Sequence, residues 1–101
     1  MYAVIFKAKT NELDEAYFKM ANRMRELAIN EYGCTEFTAV TEGSSEIAIS
    51  YWKSMEDIKK WKDNSEHLLA QDLGRSKWYK EYTVQIVEVL SEYERGKNIE
   101  N

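Results

Sequence analysis

Two strand-patterned stretches stand back to back in the middle of this chain, and they limit what it can fold into more than any other feature. Cys34 to Thr41 and Glu46 to Lys53 read as strands, and Glu42-Gly43-Ser44-Ser45 between them has the composition of a hairpin loop. In the second strand Ile47, Ile49 and Tyr51 share one face, while Ala48, Ser50 and Trp52 share the other. A helical pattern lies on each side of this hairpin, and a strand pattern lies at each end of the chain.

The outer elements follow from their periodicity. Tyr2 to Lys9 alternates, with Tyr2, Val4, Phe6 and Ala8 on one side and Ala3, Ile5 and Lys7 on the other. Both sides are largely apolar, so both need cover. Asp14 to Asn30 is helical: Tyr17, Met20, Ala21, Met24, Leu27 and Ala28 form one stripe, acids occupy the first turn, and Gly33 offers a stop. Ser54 to Asp57 has the form of a capping box, after which Met55, Ile58 and Trp61 are expected to face inward together. Lys62-Asp63-Asn64 is expected to break or bend that helix, with Asn64 or Ser65 capping a second piece that runs to about Lys77. Glu81 to Tyr93 reads as the last strand.

The order β-α-β-β-α-β predicts an α+β, ferredoxin-like fold. Four antiparallel strands would carry the helices on one face. Residues 1–94 would form the one domain, with a polar tail over 95–101. The uncovered sheet face predicts a homodimer, two sheets closing face to face into an α+β barrel. A monomer with a more polar second face is the alternative.

Composition removes several classes. A chain of 101 residues that is 44% apolar and 32% charged can bury a core without disulfides. The net charge of −4, with lysines and arginines interleaved among acids, argues against a nucleic-acid partner. No apolar run approaches the ~20 residues of a membrane span. The N-terminal stretch lacks a basic leader and a small-residue cleavage site, so it reads as a strand. Cys34 is the single cysteine, which suits a reducing compartment, and a cytoplasmic location is expected.

Ser54 to Tyr82 concentrates the groups that could carry chemistry. His67, the single histidine, could be a general acid/base, a haem ligand or a hydrogen-bond donor, or could simply cap a helix turn or touch a partner chain. A zinc site would want several cysteines and histidines at set spacings, so no metal site is expected. The four glycines are isolated, which excludes a phosphate-binding loop. Cys34 reads as a small buried hydrophobe. Trp52, Trp61, Trp78, Tyr79 and Tyr82 could wall a pocket for a small aromatic or apolar molecule, or pack as core. Arg75 and Lys77 could hold an anionic group or be a solvated helix end.

The run Ile-Ser-Tyr-Trp-Lys-Ser-Met-Glu at 49–56, then Trp61, then the pattern His67, Ala70, Gln71, Gly74, Trp78, Tyr79 and Tyr82, resembles the antibiotic-biosynthesis-monooxygenase family over roughly residues 2–94. The resemblance implies a dimeric barrel and oxidation of an aromatic substrate by oxygen with no metal, flavin or haem. In quinone-forming members an Asn precedes the strand-end Trp by four residues and a Tyr follows it by six. Trp52 matches that Trp, but the other two positions are Ala48 and Ile58. In the haem-degrading branch a His follows the helix Trp by ten. Trp61 matches that Trp, but position 71 is Gln71 and the first strand has no Asn. The leading expectation is a cofactor-independent monooxygenase with His67 or a tyrosine taking the substrate proton. The alternatives are a non-enzymatic ligand-binding or stress-response dimer, and a haem-binding or haem-degrading protein. On the catalytic reading, His67→Ala abolishes turnover and leaves the dimer intact, measured by oxygen uptake and sedimentation.

Overall fold

The computed structural model describes residues 1–71 and 77–96, and for 66–71 the backbone alone. The elements are β1 (Tyr2–Thr10), α1 (Glu15–Asn30), β2 (Glu36–Glu42), β3 (Ser45–Trp52), α2 (Met55–Gln71) and β4 (Tyr79–Glu88). The four strands form one antiparallel sheet in the order β2-β3-β1-β4. This is the α+β ferredoxin-like arrangement, with both helices on one face.

Each helix starts where its sequence supplies a cap. The Asp14 carboxylate accepts from the Tyr17 backbone N–H at 2.9 Å, and the Ser54 hydroxyl accepts from the Asp57 N–H at 3.1 Å. After α1 the chain turns through Gly33 at φ +83°, a left-handed conformation that favours glycine. A Cβ added there would also stand 3.3 Å from the Asp57 carboxylate, so the turn and the start of α2 fit closely.

The helix-facing side of the sheet is set by alternation. Val4, Phe6 and Ala8 of β1 lie beside Ala48, Ser50 and Trp52 of β3 on that side. Two buried clusters hold the layers together. One joins Val4, Ala28, Cys34, Trp52 and Ile58; the other joins Ala8, Tyr17, Met20, Trp78 and Tyr79. The opposite face carries Ile5, Ile49 and Tyr51 with Val40, Ile47 and Val87, and the last three are 59%, 41% and 38% exposed.

Three expectations change. The helix expected to break at 62–64 is continuous from Met55 to Gln71. Its polar residues are satisfied without a break: the Ser65 hydroxyl donates back to the Trp61 carbonyl at 2.9 Å, and the Asn64 amide donates to the Tyr32 hydroxyl at 3.3 Å. Met55 does not join Ile58 and Trp61 inside but is exposed on the first turn. The last strand begins at Tyr79 and ends at Glu88, after which only the Val89 N–H continues, donating to the Met1 carbonyl. Leu90 and Tyr93 are almost fully exposed.

Trp52 has no exposed surface, so Trp52→Ala removes a large volume from a closed site. Urea unfolding is expected to show a loss of about 3–5 kcal/mol for this variant. Met55→Ala should stay within about 0.5 kcal/mol of the parent.

Candidate functional site

Between the helices and the sheet lies a cavity of about 280 Å³. It exists because the residues that meet there are small. Ala39 and Ala48 are register partners on β2 and β3, Ser50 follows on the same face, and α1 presents Ala21 above them. None can fill the space between the layers. The volume is near the lower end of small-molecule sites and suits one or two fused rings.

Aromatic rings close both ends. At one end Phe6 meets Tyr79 edge-on at 5.4 Å and stacks on Tyr82 at 5.7 Å. At the other, Trp61 lies 5.3 Å from Trp52 and 6.1 Å from Phe37. The Trp61 indole N–H donates to the Met24 carbonyl of α1 at 2.9 Å, which fixes the ring. The Arg25 guanidinium sits over the Phe37 ring, 5.9 Å from its centre.

A carboxylate and two phenols meet at the Phe6 end of the cavity. The buried Tyr17 hydroxyl donates to the Glu46 carboxylate, and both residues line the cavity with Tyr79. Burial, and then the bond to Glu46, push the Tyr17 hydroxyl far above its ordinary value of 10.0. Burial likewise pushes Tyr79 up to about 12. Both phenols therefore stay protonated at neutral pH, and the Tyr17 hydrogen is committed to Glu46.

Asp14 anchors this end. Its carboxylate accepts from the Tyr17 N–H, from the Trp78 indole at 3.2 Å, and from the Lys77 ammonium at 2.8 Å. The Asn11 N–H and side-chain amide bond to the carbonyls of Trp78 and Lys77. One residue thus starts α1 and ties it to the start of β4.

Trp61, Tyr79 and Tyr82 line the cavity. Trp52 and Trp78 are wholly buried in the two core clusters behind it. Lys77 is the ion-pair partner of Asp14, not a free cation. His67, Gly74 and Arg75 lie outside the described residues, His67 as to its side chain. Cys34 is buried, its hydrogen is directed at the Glu36 carbonyl, and burial raises its pKa, so it packs as a small hydrophobe. Among the described residues no three metal-ligating side chains come together, and no helix is long and apolar enough to cross a membrane.

Sequence reasoning missed Tyr17 and Glu46 as site residues. Glu46 had a signal: strand alternation carried back from Ala48, Ser50 and Trp52 puts it on the helix-facing side, an unusual place for a carboxylate. Tyr17 gave none, because a tyrosine in an apolar stripe reads as core.

The uncharacterized protein YqjZ of Bacillus subtilis (strain 168) is 39% identical over 89 residues, covering 87% of this chain and 78% of that protein. The chain belongs to the YqjZ family. No protein-family model matches it. Among solved structures, SnoaB, a cofactor-independent oxygenase from Streptomyces nogalater, superposes with a TM-score of 0.71 at 11% identity, over 90% of this chain and 94% of that one. A structure described as an antibiotic biosynthesis monooxygenase gives 0.69 at 14% identity, over 90% of this chain and all of that one. At such identities these two likenesses establish for this YqjZ-family chain the fold they share.

The bonds to Asp14 hold its carboxyl below the ordinary 3.8, the Lys77 bond most and the Tyr17 N–H next. A depressed acid stabilises the fold above its unfolded value and loses that contribution as pH falls through the folded one. Urea titrations from pH 6 down to pH 3 should show the parent losing stability below about pH 4. Asp14→Asn should start less stable and lose less over that interval.

Proposed function

We propose that this protein is a cofactor-independent monooxygenase that oxidises a small hydroxyaromatic molecule in the cavity between helices and sheet. The observation that carries the reading is the cavity itself: walled by aromatic rings, open to one or two fused rings, with protonated phenols and a carboxylate at one end. The likeness to SnoaB and the sequence resemblance support the same class of chemistry. The apolar walls would strip water from the bound ring. Loss of the ring hydroxyl proton would give an electron-rich anion, which passes one electron to dioxygen. Combination of the two radicals at a ring C–H carbon and return of the proton would give a hydroperoxide. Loss of water then leaves a carbonyl. One oxygen atom ends in the quinone and one in water, and no reductant is consumed.

The working unit in this proposal is a homodimer. The face away from the helices carries Ile5, Ile47, Ile49, Val40 and Val87, and a second copy would cover it. The single buried thiol suits the cytoplasm.

Oxygen uptake with 1,5-dihydroxynaphthalene, which has a ring C–H para to each hydroxyl, in the presence of a chelator, is the direct test. Turnover to the quinone above the uncatalysed rate is expected. Binding without uptake would make the protein a binding module instead. Ala48→Leu adds volume inside the cavity and is expected to weaken binding at least about tenfold with the unfolding free energy little changed. Ile47→Glu should move the sedimenting species from twice 11.9 kDa towards the single chain.

A further inference from the structure

The Tyr17–Glu46 pair is more than packing. A tyrosine with 3% of its surface exposed needs an acceptor for its hydroxyl, and a backbone carbonyl would serve. This chain supplies a carboxylate instead, on a strand face otherwise occupied by Ala48, Ser50 and Trp52. Glu46 takes part in neither of the ion pairs among the described residues, which are Lys60–Glu56 and Lys77–Asp14. Tyr17 occupies one of its acceptor positions, and a carboxylate has about four. The cations that line the cavity, Arg25 and Lys62, are exposed on the helices. Arg25 stacks on Phe37, which is the register partner of Ser50. Ser50 stands four residues along β3 from Glu46, roughly 13 Å away. The two ends of the cavity therefore differ in kind: an acceptor end at Glu46 and a cationic end at Arg25.

We infer that Glu46, directly or through the Tyr17 hydroxyl, accepts the hydrogen bond and then the proton of the ligand's hydroxyl, so that the cavity selects neutral hydroxyaromatics over rings of the same size without a donor. In the relayed form the ligand O–H donates to the Tyr17 oxygen while the Tyr17 hydrogen moves to Glu46. The ligand becomes the anion, Tyr17 ends neutral, and Glu46 ends protonated. The strongly raised affinity of Tyr17 for its proton suits a relay that never rests as a phenolate. This inference rests on the cavity being the ligand site, and it supplies the proton acceptor for the reaction proposed above.

The experiment compares 1-naphthol with 1-methoxynaphthalene, which has a similar ring system and no donor, by fluorescence titration of the whole chain. The parent should prefer naphthol by about tenfold or more, the usual size of a hydrogen bond to a charged group. In Glu46→Gln the preference should fall to about threefold or less with the methoxy compound bound as before. Tyr17→Phe, with Glu46 retained, tests the relay: a preference kept in full means direct donation to Glu46, and a preference lost means transfer through Tyr17. Equal binding of the two compounds to the parent, or a preference that survives Glu46→Gln, would overturn the inference and leave the cavity as a ligand site. No binding of either compound, with unchanged urea midpoints, would overturn the inference together with the reading of the cavity.

Discussion

The two-residue period of β3 is the constraint on which the rest of this structure depends. Four alternate residues, Glu46, Ala48, Ser50 and Trp52, face the helices. They supply a carboxylate, two small side chains and a buried indole. The indole fills the lower end of the core, and its N–H donates to the Ser50 hydroxyl at 2.8 Å. The small pair leaves the space above the sheet unfilled. A slip of one residue would put Ile47, Ile49 and Tyr51 in their place, close the cavity and send Trp52 to the other face. Pairing of β3 with both β1 and β2 along its length opposes that slip.

Asp14 does for the other end what β3 does for the centre. It bonds to a helix N–H, an indole and an ammonium at once. Through Tyr17 the same helical turn reaches Glu46 on β3. The start of α1, the start of β4 and the acceptor end of the cavity are thus one hydrogen-bonded unit. Structural and candidate functional groups share it, so stability and binding measurements are both needed to interpret any substitution there.

The order of elements was legible because it needs only periodicity and turn chemistry, both local. Asp14, Ser54 and Gly33 act as their residue types suggest. The supposed break in α2 was misread because Asn64 and Ser65 are good caps, yet in the middle of a helix their side chains found other partners in Tyr32 and the Trp61 carbonyl. The start of β4 at Tyr79 depends on pairing with Thr10 across a shift in the β1–β4 register, which no local pattern records. The cavity was partly legible: Trp61, Tyr79 and Tyr82 come from the aromatic-rich stretch, but Phe6 and Tyr17 come from β1 and α1. An empty volume depends on which small residues meet across layers, and that is a tertiary fact. Where the family resemblance calls for a catalytic Asn and Tyr, this chain has Ala48 beside the cavity and Ile58 in the core. Its polar groups come from a different pair of elements.

The most direct test of the account is amide and indole chemical-shift mapping of the whole protein titrated with 1-naphthol. The account predicts that the largest changes fall on Tyr17, Ala21, Ala48 and the Trp61 indole, with the outer-face residues Ile5, Ile49 and Val87 unmoved. Changes concentrated on that outer face, or none at saturating ligand, would contradict it.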